Sequence, residues 1–342
     1  MKDLLRAPKF VRRWTSVNVH GHPWRNGRDS NPRGLHPHAF KARAFVRSAT
    51  VPGDTLAVEA CSSPVGSRAL GRVRSPAMSV LTIRGVDLHH DVAGTGPTLI
   101  WGHGLTSSRA REDDTRLIDW PQVRAHATVV RYDARGHGES TSTADSADYH
   151  WRALAHDQLA LADALDIETY IAGGASMGCA TALHAAVLAP ERVTALILAI
   201  PPTAWATRAA QQDGYELSAR LVEQGELDVL VNGARASAPP DPLVDVPAWR
   251  DGFEQMVRTT DPVRLARTFR GAAITDLPDP DAIATIDVPT LILCWTGDAG
   301  HPFSTAERLA ELIPGSRISV ASTFDQLSRW TDTITAFLDA SS

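Results

Sequence analysis

Cysteine is scarce in this sequence of 342 residues. Its three cysteines, Cys61, Cys179 and Cys294, are odd in number and widely spaced. This spacing argues against a disulfide framework and a cysteine metal site, and it favours a reducing compartment, here the cytoplasm. Cys179 and Cys294 fall within helix-like and strand-like apolar runs, so we expect both to be buried as small hydrophobic residues.

Long apolar runs are also lacking. No stretch approaches the roughly 20 apolar residues that a helix needs to span a bilayer. The N-terminus is basic, but the apolar middle section of a secretory signal does not follow it. The sequence therefore predicts no membrane partner.

Lysine is absent from residues 78–342, and this part of the chain is acidic. It contains 20 arginines against 35 Asp and Glu, whereas residues 1–77 contain 14 Lys and Arg against 4 Asp and Glu. The resulting net charges of −15 and +10 indicate a tail that is distinct from the main domain. Because an excess of acidic groups opposes phosphate binding, we predict no nucleic-acid partner.

Residues 1–77 show neither helical nor strand periodicity and are rich in Arg, Pro, Ser and Gly. Such a composition predicts a disordered or irregular extension. A transit peptide and a basic arm for nucleic acid are both compatible with it. However, the run from Gly27 to Gly34 resembles the peptides obtained when a transfer-RNA gene is read as protein. We therefore expect translation to begin at Met78.

From Met78 onward, strand-like and helix-like patterns alternate, which is typical of an α/β fold with a mostly parallel, doubly wound sheet. The predicted strands are 80–84, 88–92, 98–101, 128–132, 169–172, 193–200, 289–295 and 318–320. The predicted helices are 151–165, 177–188, 304–312 and a last one ending at Leu338. No internal repeat is visible.

Residues 201–286 break this alternation. They read as amphipathic helices interrupted by prolines, which predicts a helical cap inserted into a core of residues 78–200 and 287–342. Aromatic side chains in the cap either line an apolar pocket or belong to its core: Trp205, Tyr215, Trp249, Phe253 and Phe269.

The stretch Gly174-Ala175-Ser176-Met177-Gly178 has the spacing G-x-S-x-G between a predicted strand and a predicted helix. A serine on such a sharp turn is held in a strained conformation, and only residues without bulk fit two positions before and after it. The N-terminus of the helix then offers free backbone N–H groups close to the serine. This context predicts that Ser176 is a nucleophile.

Four motifs in order resemble the α/β-hydrolase superfamily, especially its lipase/esterase-like and proline-iminopeptidase-like branches with a helical cap. They are His103-Gly104, the segment Tyr132–Ser140, the Ser176 turn and Gly297-Asp298, and the resemblance extends from Met78 to the C-terminus. It implies a serine hydrolase that cleaves a small ester, lactone or amide through an acyl-enzyme. No metal or organic cofactor is implied, and the expected partner is a small-molecule substrate. The oligomeric state is not indicated.

The resemblance also implies roles for particular residues. The backbone N–H groups of Leu105 and Met177 would bind the oxyanion. Asp298 would be the acid that orients the catalytic histidine. The polar side chains His103, Asp133, Arg135 and His137 are interpreted as structural groups that hold tight loops.

The histidine that the resemblance implies after the eighth strand is missing. That segment, Ser319 to Leu327, contains none, and the one histidine after Asp298 is His301. His301 either acts as the base for Ser176 or lines the mouth of the pocket. His150, His156 and His184 are interpreted as structural. Since serine needs a base, the missing histidine motivates an alternative hypothesis, a ligand-binding protein that is not catalytic.

Overall fold

The computed structural model describes residues 78–341, in which eight strands form one sheet. The predicted extension 1–77, with Cys61, lies outside the described residues. The strand order is β1-β2-β4-β3-β5-β6-β7-β8. The β1–β2 and β2–β4 pairs are antiparallel, and all later neighbours are parallel. The strands are β1 Met78–Ile83, β2 Val86–Gly94, β3 Thr98–Gly102, β4 Thr128–Tyr132, β5 Tyr170–Ala175, β6 Val193–Ala199, β7 Thr290–Trp295 and β8 Arg317–Ala321.

The first hairpin differs from the prediction at its turn. Arg84 and Gly85 form a two-residue turn with φ values of 46° and 80°, between the paired residues Ile83 and Val86. Two-residue hairpin turns of this kind need a positive φ at both central positions. Arg84 therefore belongs to the turn, and its assignment to the strand is wrong.

Helices lie on both faces of the sheet. In the described part of the chain they are α1 Arg109–Thr115, α2 Trp120–Val123, α3 Trp151–Ala164, α4 Met177–Leu188, α5 Arg208–Glu223, α6 Leu227–Ala236, α7 Pro247–Thr259, α8 Pro262–Ala273, α9 Pro280–Ile283, α10 Phe303–Leu312, α11 Phe324–Ser328 and α12 Trp330–Ala340. The alternation of β4, α3, β5, α4 and β6 confirms the predicted doubly wound α/β fold. None of the helices described has both the length and the apolar character needed to cross a bilayer.

Alternate residues of the central strands form two separate apolar layers. On β3, Ile100 faces the layer that α3 and α4 cover, whereas Leu99 and Trp101 face the layer that α2 and α12 cover. A strand that is buried on both faces reads as a continuous apolar run, as these strands do. Cys179 and Cys294 lie in the first layer, buried and unpaired, as the sequence predicted.

The segment between β6 and β7 contains helices α5 to α9 and, among its described residues, no strand. We call it the inserted segment. Within it, α5 packs on α8, where the Tyr215 and Phe269 rings stack at 6.3 Å. It also contacts the loop that follows β7, because the Asp241 amide donates a hydrogen bond to the Thr296 carbonyl at 2.9 Å. The Thr296 hydroxyl donates a second hydrogen bond, of 2.6 Å, to the Asp241 carboxylate.

Candidate active site

Ser176 occupies the sharp bend between β5 and α4. Its φ of 52° and ψ of −107° lie in a region that residues other than glycine rarely adopt. The Ser176 amide donates to the Ala199 carbonyl at 3.0 Å, and the Ser176 carbonyl accepts from the Ala180 amide at 3.0 Å. These two hydrogen bonds connect the bend to β6 and to α4. They place the side chain at the carboxyl end of the sheet.

The two glycines of the motif are required by close backbone approach. A Cβ on Gly178 would lie 1.9 Å from the Gly102 carbonyl oxygen, and one on Gly174 would lie 2.4 Å from the Gly178 carbonyl carbon. Real Cβ atoms do not approach other heavy atoms so closely. The spacing G-x-S-x-G thus allows α4 to start directly against β3 and β5, behind the serine.

Ser176, His301 and Asp298 form a continuous hydrogen-bonded chain. The Ser176 Oγ lies 2.8 Å from His301 Nε2, and His301 Nδ1 lies 2.8 Å from Asp298 Oδ2. Because a carboxylate only accepts, Nδ1 carries the proton and Nε2 is left as an acceptor for the serine hydroxyl. Ser176 itself is 8% exposed. The structure therefore brings His301 to the serine, although it follows the seventh strand rather than the eighth.

The Asp298 carboxylate accepts four hydrogen bonds. Oδ1 receives the Gly300 amide at 2.8 Å and the His301 amide at 3.3 Å. Oδ2 receives the Trp295 indole N–H at 2.9 Å as well as His301 Nδ1. Burial alone raises the pKa of this carboxyl, but the His301 charge and these hydrogen bonds lower it to about 2. Asp298 is thus an anion throughout the neutral pH range.

Two backbone N–H groups flank the serine without a partner of their own. In the described chain the Leu105 amide donates no hydrogen bond. Met177 is the first residue of α4, so its amide has no intrahelical acceptor. The loop before Leu105 lies against Ser176, since a Cβ on Gly104 would be 3.7 Å from the Ser176 Cβ. Neither amide therefore has an acceptor among the described residues.

His103 supports the loop that carries Leu105. The Ala134 amide donates to His103 Nε2 at 3.0 Å, so the ring proton is on Nδ1, which donates to the Gly104 carbonyl at 2.8 Å. Burial lowers the pKa of His103 and keeps it neutral. Both ring nitrogens are therefore occupied by backbone groups, which agrees with the structural role expected from the sequence.

The segment Tyr132–Ser140 is likewise held by its own polar side chains. Asp133 accepts from the Arg109 and Glu139 amides at 2.8 and 3.1 Å. Arg135 donates two hydrogen bonds to Asp157 of α3, at 2.9 and 2.8 Å. His137, whose pKa burial lowers to about 4, contacts the Leu105 carbonyl at 2.7 Å and so links this segment to the loop beside the serine.

The remaining candidate histidines lie elsewhere. His184 Nε2 donates to the Asp276 carbonyl at 3.0 Å, and burial lowers its pKa to about 4. His150 accepts from the Arg152 amide at 3.1 Å, and His156 is exposed on α3. In the segment after β8, Thr323 caps the short helix α11, and its side chain accepts a hydrogen bond from the Gln326 amide. Within residues 78–341, Ser176 Oγ bonds to none of these residues.

A cavity of about 300 Å³ lies beside the Leu105 loop. It is bordered by α7 and α8 of the inserted segment and by the glycine-rich turn around His137. Leu105, Thr106, Met256, Arg264 and Thr268 contribute to its walls. Polar and apolar groups both line it, and neither Ser176 nor His301 is among the lining residues. Across residues 78–341, no group of three or more His, Cys, Asp or Glu side chains is arranged to bind a metal ion.

Comparisons with known proteins agree with this architecture. A family model described as alpha/beta hydrolase fold matches residues 97–224. A putative carbamate hydrolase RutD from Agrobacterium fabrum is 26% identical over 246 residues, which are 68% of this chain and 87% of that protein. An epoxide hydrolase from Caballeronia sordidicola is 29% identical over 58% of this chain and 60% of its own length. The crystal structure of a hydrolase from Pseudomonas aeruginosa PA01 superposes with a TM-score of 0.64 at 26% identity, covering 77% of this chain and 97% of that one.

Proposed function

We propose that this chain, which has the α/β-hydrolase fold and whose relatives include proteins named as hydrolases, is a serine hydrolase with Ser176 as the nucleophile. One observation carries the proposal. The Ser176 hydroxyl is 2.8 Å from His301 Nε2, and His301 Nδ1 is 2.8 Å from the Asp298 carboxylate. A nucleophile, a base and an acid that orients the base in one chain of hydrogen bonds are the groups that acyl transfer needs.

In the first half of the reaction, Ser176 Oγ attacks the substrate carbonyl carbon while its proton moves to His301 Nε2. The carbonyl π electrons become an oxyanion. The collapse of this tetrahedral intermediate re-forms the carbonyl and expels the alcohol or amine, which takes the proton from His301. The product of this half is an ester between Ser176 and the acyl group.

In the second half, water replaces the leaving group. His301 Nε2 takes one proton from the water while the water oxygen attacks the acyl carbon. It then gives this proton to Ser176 Oγ as the bond to the acyl group breaks. The carboxylic acid leaves, and the serine hydroxyl is restored. Asp298 stays ionised throughout and stabilises the imidazolium that forms in each half.

In both halves of the reaction, the free backbone amides donate hydrogen bonds to the oxyanion. Leu105 and Met177 contribute one N–H each, from the loop after β3 and from the start of α4. Donors that are already oriented need no rearrangement as charge develops, and one such donor is worth roughly 10²–10³-fold in kcat. The partial positive charge at the N-terminus of α4 adds to their effect.

The substrate proposed is a small ester, lactone or amide, cleaved in the space between the core and the inserted segment, which acts as a cap. The names of the relatives include carbamate and epoxide hydrolysis, so their substrates differ from one another. The alternative of a non-catalytic binding protein was motivated by the missing histidine after β8. His301 offers a base at another position, which is why we favour hydrolysis.

Covalent labelling with a fluorophosphonate tests this proposal. The probe reacts with serine hydroxyls that a base activates, and mass spectrometry identifies the labelled peptide. We expect stoichiometric labelling at Ser176 and none in folded Ser176→Ala. Folded parent protein that stays unlabelled while binding small acyl compounds would instead support the non-catalytic alternative.

A further inference from the structure

Trp295, the last residue of β7, contacts both partners of the acid–base pair. Its indole N–H donates to Asp298 Oδ2 at 2.9 Å. The ring centroid lies 6.1 Å from that of His301, with the two planes at 84°, an edge-to-face arrangement. Trp295 is 1% exposed. No motif in the sequence assigns a role to this residue.

The indole N–H acts on the oxygen that faces the histidine. Oδ2 is shared by Trp295 Nε1 and His301 Nδ1, whereas Oδ1 is occupied by two backbone amides. Rotation of the carboxylate about its side-chain torsion would break the bond to the rigid indole. The indole therefore keeps Oδ2 directed at the imidazole.

We propose that Trp295 is a positioning residue that sets the orientation and basicity of the Asp298–His301 pair. The inference rests on the proposed function, because it concerns the same pair of side chains. Among the described residues, Trp295 forms no hydrogen bond with the serine oxygen, so it acts through Asp298 and His301.

The surroundings of Trp295 fit this role. Its ring stacks on Trp330 of α12 at 5.9 Å and packs edge-on against Trp249 of α7 at 5.5 Å. The indole is thus clamped between the core and the inserted segment. Because Asp298 and His301 are on one loop, the immobile Trp295 indole at the end of β7 orients both side chains at once.

Trp330 offers a matched control. It is a buried tryptophan of the same aromatic cluster, but its indole nitrogen has no hydrogen-bond partner within the described residues. Trp295→Phe and Trp330→Phe therefore make the same chemical change, and only the first removes a hydrogen bond to Asp298. A third variant, with benzothienylalanine at position 295, keeps the shape of the indole and lacks the N–H group.

The test measures the pH dependence of kcat and KM for p-nitrophenyl acetate, normalised to the fraction of Ser176 that a fluorophosphonate labels. In Trp295→Phe and in the benzothienylalanine variant, we expect kcat to fall about ten- to a hundredfold, as for loss of a hydrogen bond to a charged group. KM should stay at the parent value. The acid limb of kcat/KM should move to higher pH, because a less solvated carboxylate makes His301 more basic.

Trp330→Phe keeps an aromatic ring against Trp295 and leaves the hydrogen bond from Trp295 to Asp298 in place, so it should retain the acid limb and the normalised kcat of the parent. If the two variants at position 295 match Trp330→Phe in both quantities, the inference is overturned. The benzothienylalanine variant decides the question if Trp295→Phe does not fold. Failure of the proposed function looks different, since the parent protein itself would then neither be labelled at Ser176 nor turn over the ester.

Discussion

Asp298 and His301 lie three residues apart on one loop, and their side chains meet at 2.8 Å between Oδ2 and Nδ1. Asp298 Oδ1 accepts from the Gly300 and His301 amides, so the carboxylate also folds the loop back on itself. The local turn that brings the acid to the histidine is therefore part of the same hydrogen-bond network. The acid and the proposed base do not require two separate loops to come together.

Asp298→Asn tests the function of this carboxylate. Both oxygens of Asp298 accept hydrogen bonds, whereas an asparagine has only one oxygen. If that oxygen stays on the two backbone amides, the NH2 group faces His301 Nδ1 and disfavours the tautomer that leaves Nε2 free to accept. We expect kcat/KM to fall about 10³–10⁴-fold, as for the equivalent change in other Ser-His-Asp sites. Steady-state kinetics at pH 7 checks this, and a loss below tenfold would contradict the proposed orientation of His301.

The same variant should change the acid stability of the protein. Folding lowers the pKa of Asp298 to about 2, below its ordinary value of 3.8. The stabilisation is therefore fully present above pH 4 and is lost as the pH falls towards 2; it amounts to about 2 kcal/mol. Urea unfolding from pH 5 to pH 2 should show a shallower loss of stability for Asp298→Asn than for the parent. Equal slopes would show that the native state does not favour the ionised carboxyl.

Gly178→Ala tests the close approach behind the serine. The added Cβ would meet the Gly102 carbonyl oxygen at 1.9 Å, so α4 must move away from β3. We expect a destabilisation of about 3 kcal/mol or more, typical of overpacking that the backbone cannot relieve. Chemical unfolding measures it.

Gly233→Ala is the control, because this glycine is exposed in α6 and a Cβ there meets nothing within 4 Å. It should stabilise the protein by about 0.5–1 kcal/mol through helix propensity. A similar effect of the two substitutions would show that the bend is not as tight as described.

Asp157→Asn tests the buried ion pair beneath the Tyr132–Ser140 segment. Asp157 receives two bonds from Arg135, and both side chains are almost inaccessible. Removal of this charge leaves the buried Arg135 guanidinium with only the half-exposed Asp148 carboxylate, at 3.9 Å, and should cost about 3 kcal/mol. Asp163→Asn makes the same change on α3 in an exposed pair with Arg192 and should cost at most about 1 kcal/mol. Equal losses in thermal or chemical unfolding would contradict the structural role of the Arg135 loop.

The strands and the serine bend were predictable because their signals are local. Apolar runs on β3, β5, β6 and β7 identify strands buried on both faces, and Gly174 and Gly178 mark the bend at which backbones touch. The boundary at Arg84 was missed because positive φ is rare for arginine and is decided by the two-residue hairpin. Periodicity carries no information on such a turn.

The base was the least predictable part of the site. The sequence left open whether His301 reaches Ser176 or lines the pocket mouth, since the two residues are 125 positions apart and their distance depends on the whole sheet. For Trp295, the sequence predicts only the end of a buried strand. Its indole N–H has no sequence signature, and the partial signal was a tryptophan three residues before a candidate acid.

The central claim is that His301 is the base for Ser176, and the most direct measurement is kcat/KM for p-nitrophenyl acetate in His301→Gln. His156→Gln, an exposed histidine on α3, is the matched control. We expect kcat/KM to fall about 10³-fold or more in His301→Gln while the fold stays intact, because the variant has no base to take the proton of the serine. His156→Gln should match the parent. Turnover of His301→Gln close to the parent value would contradict the account.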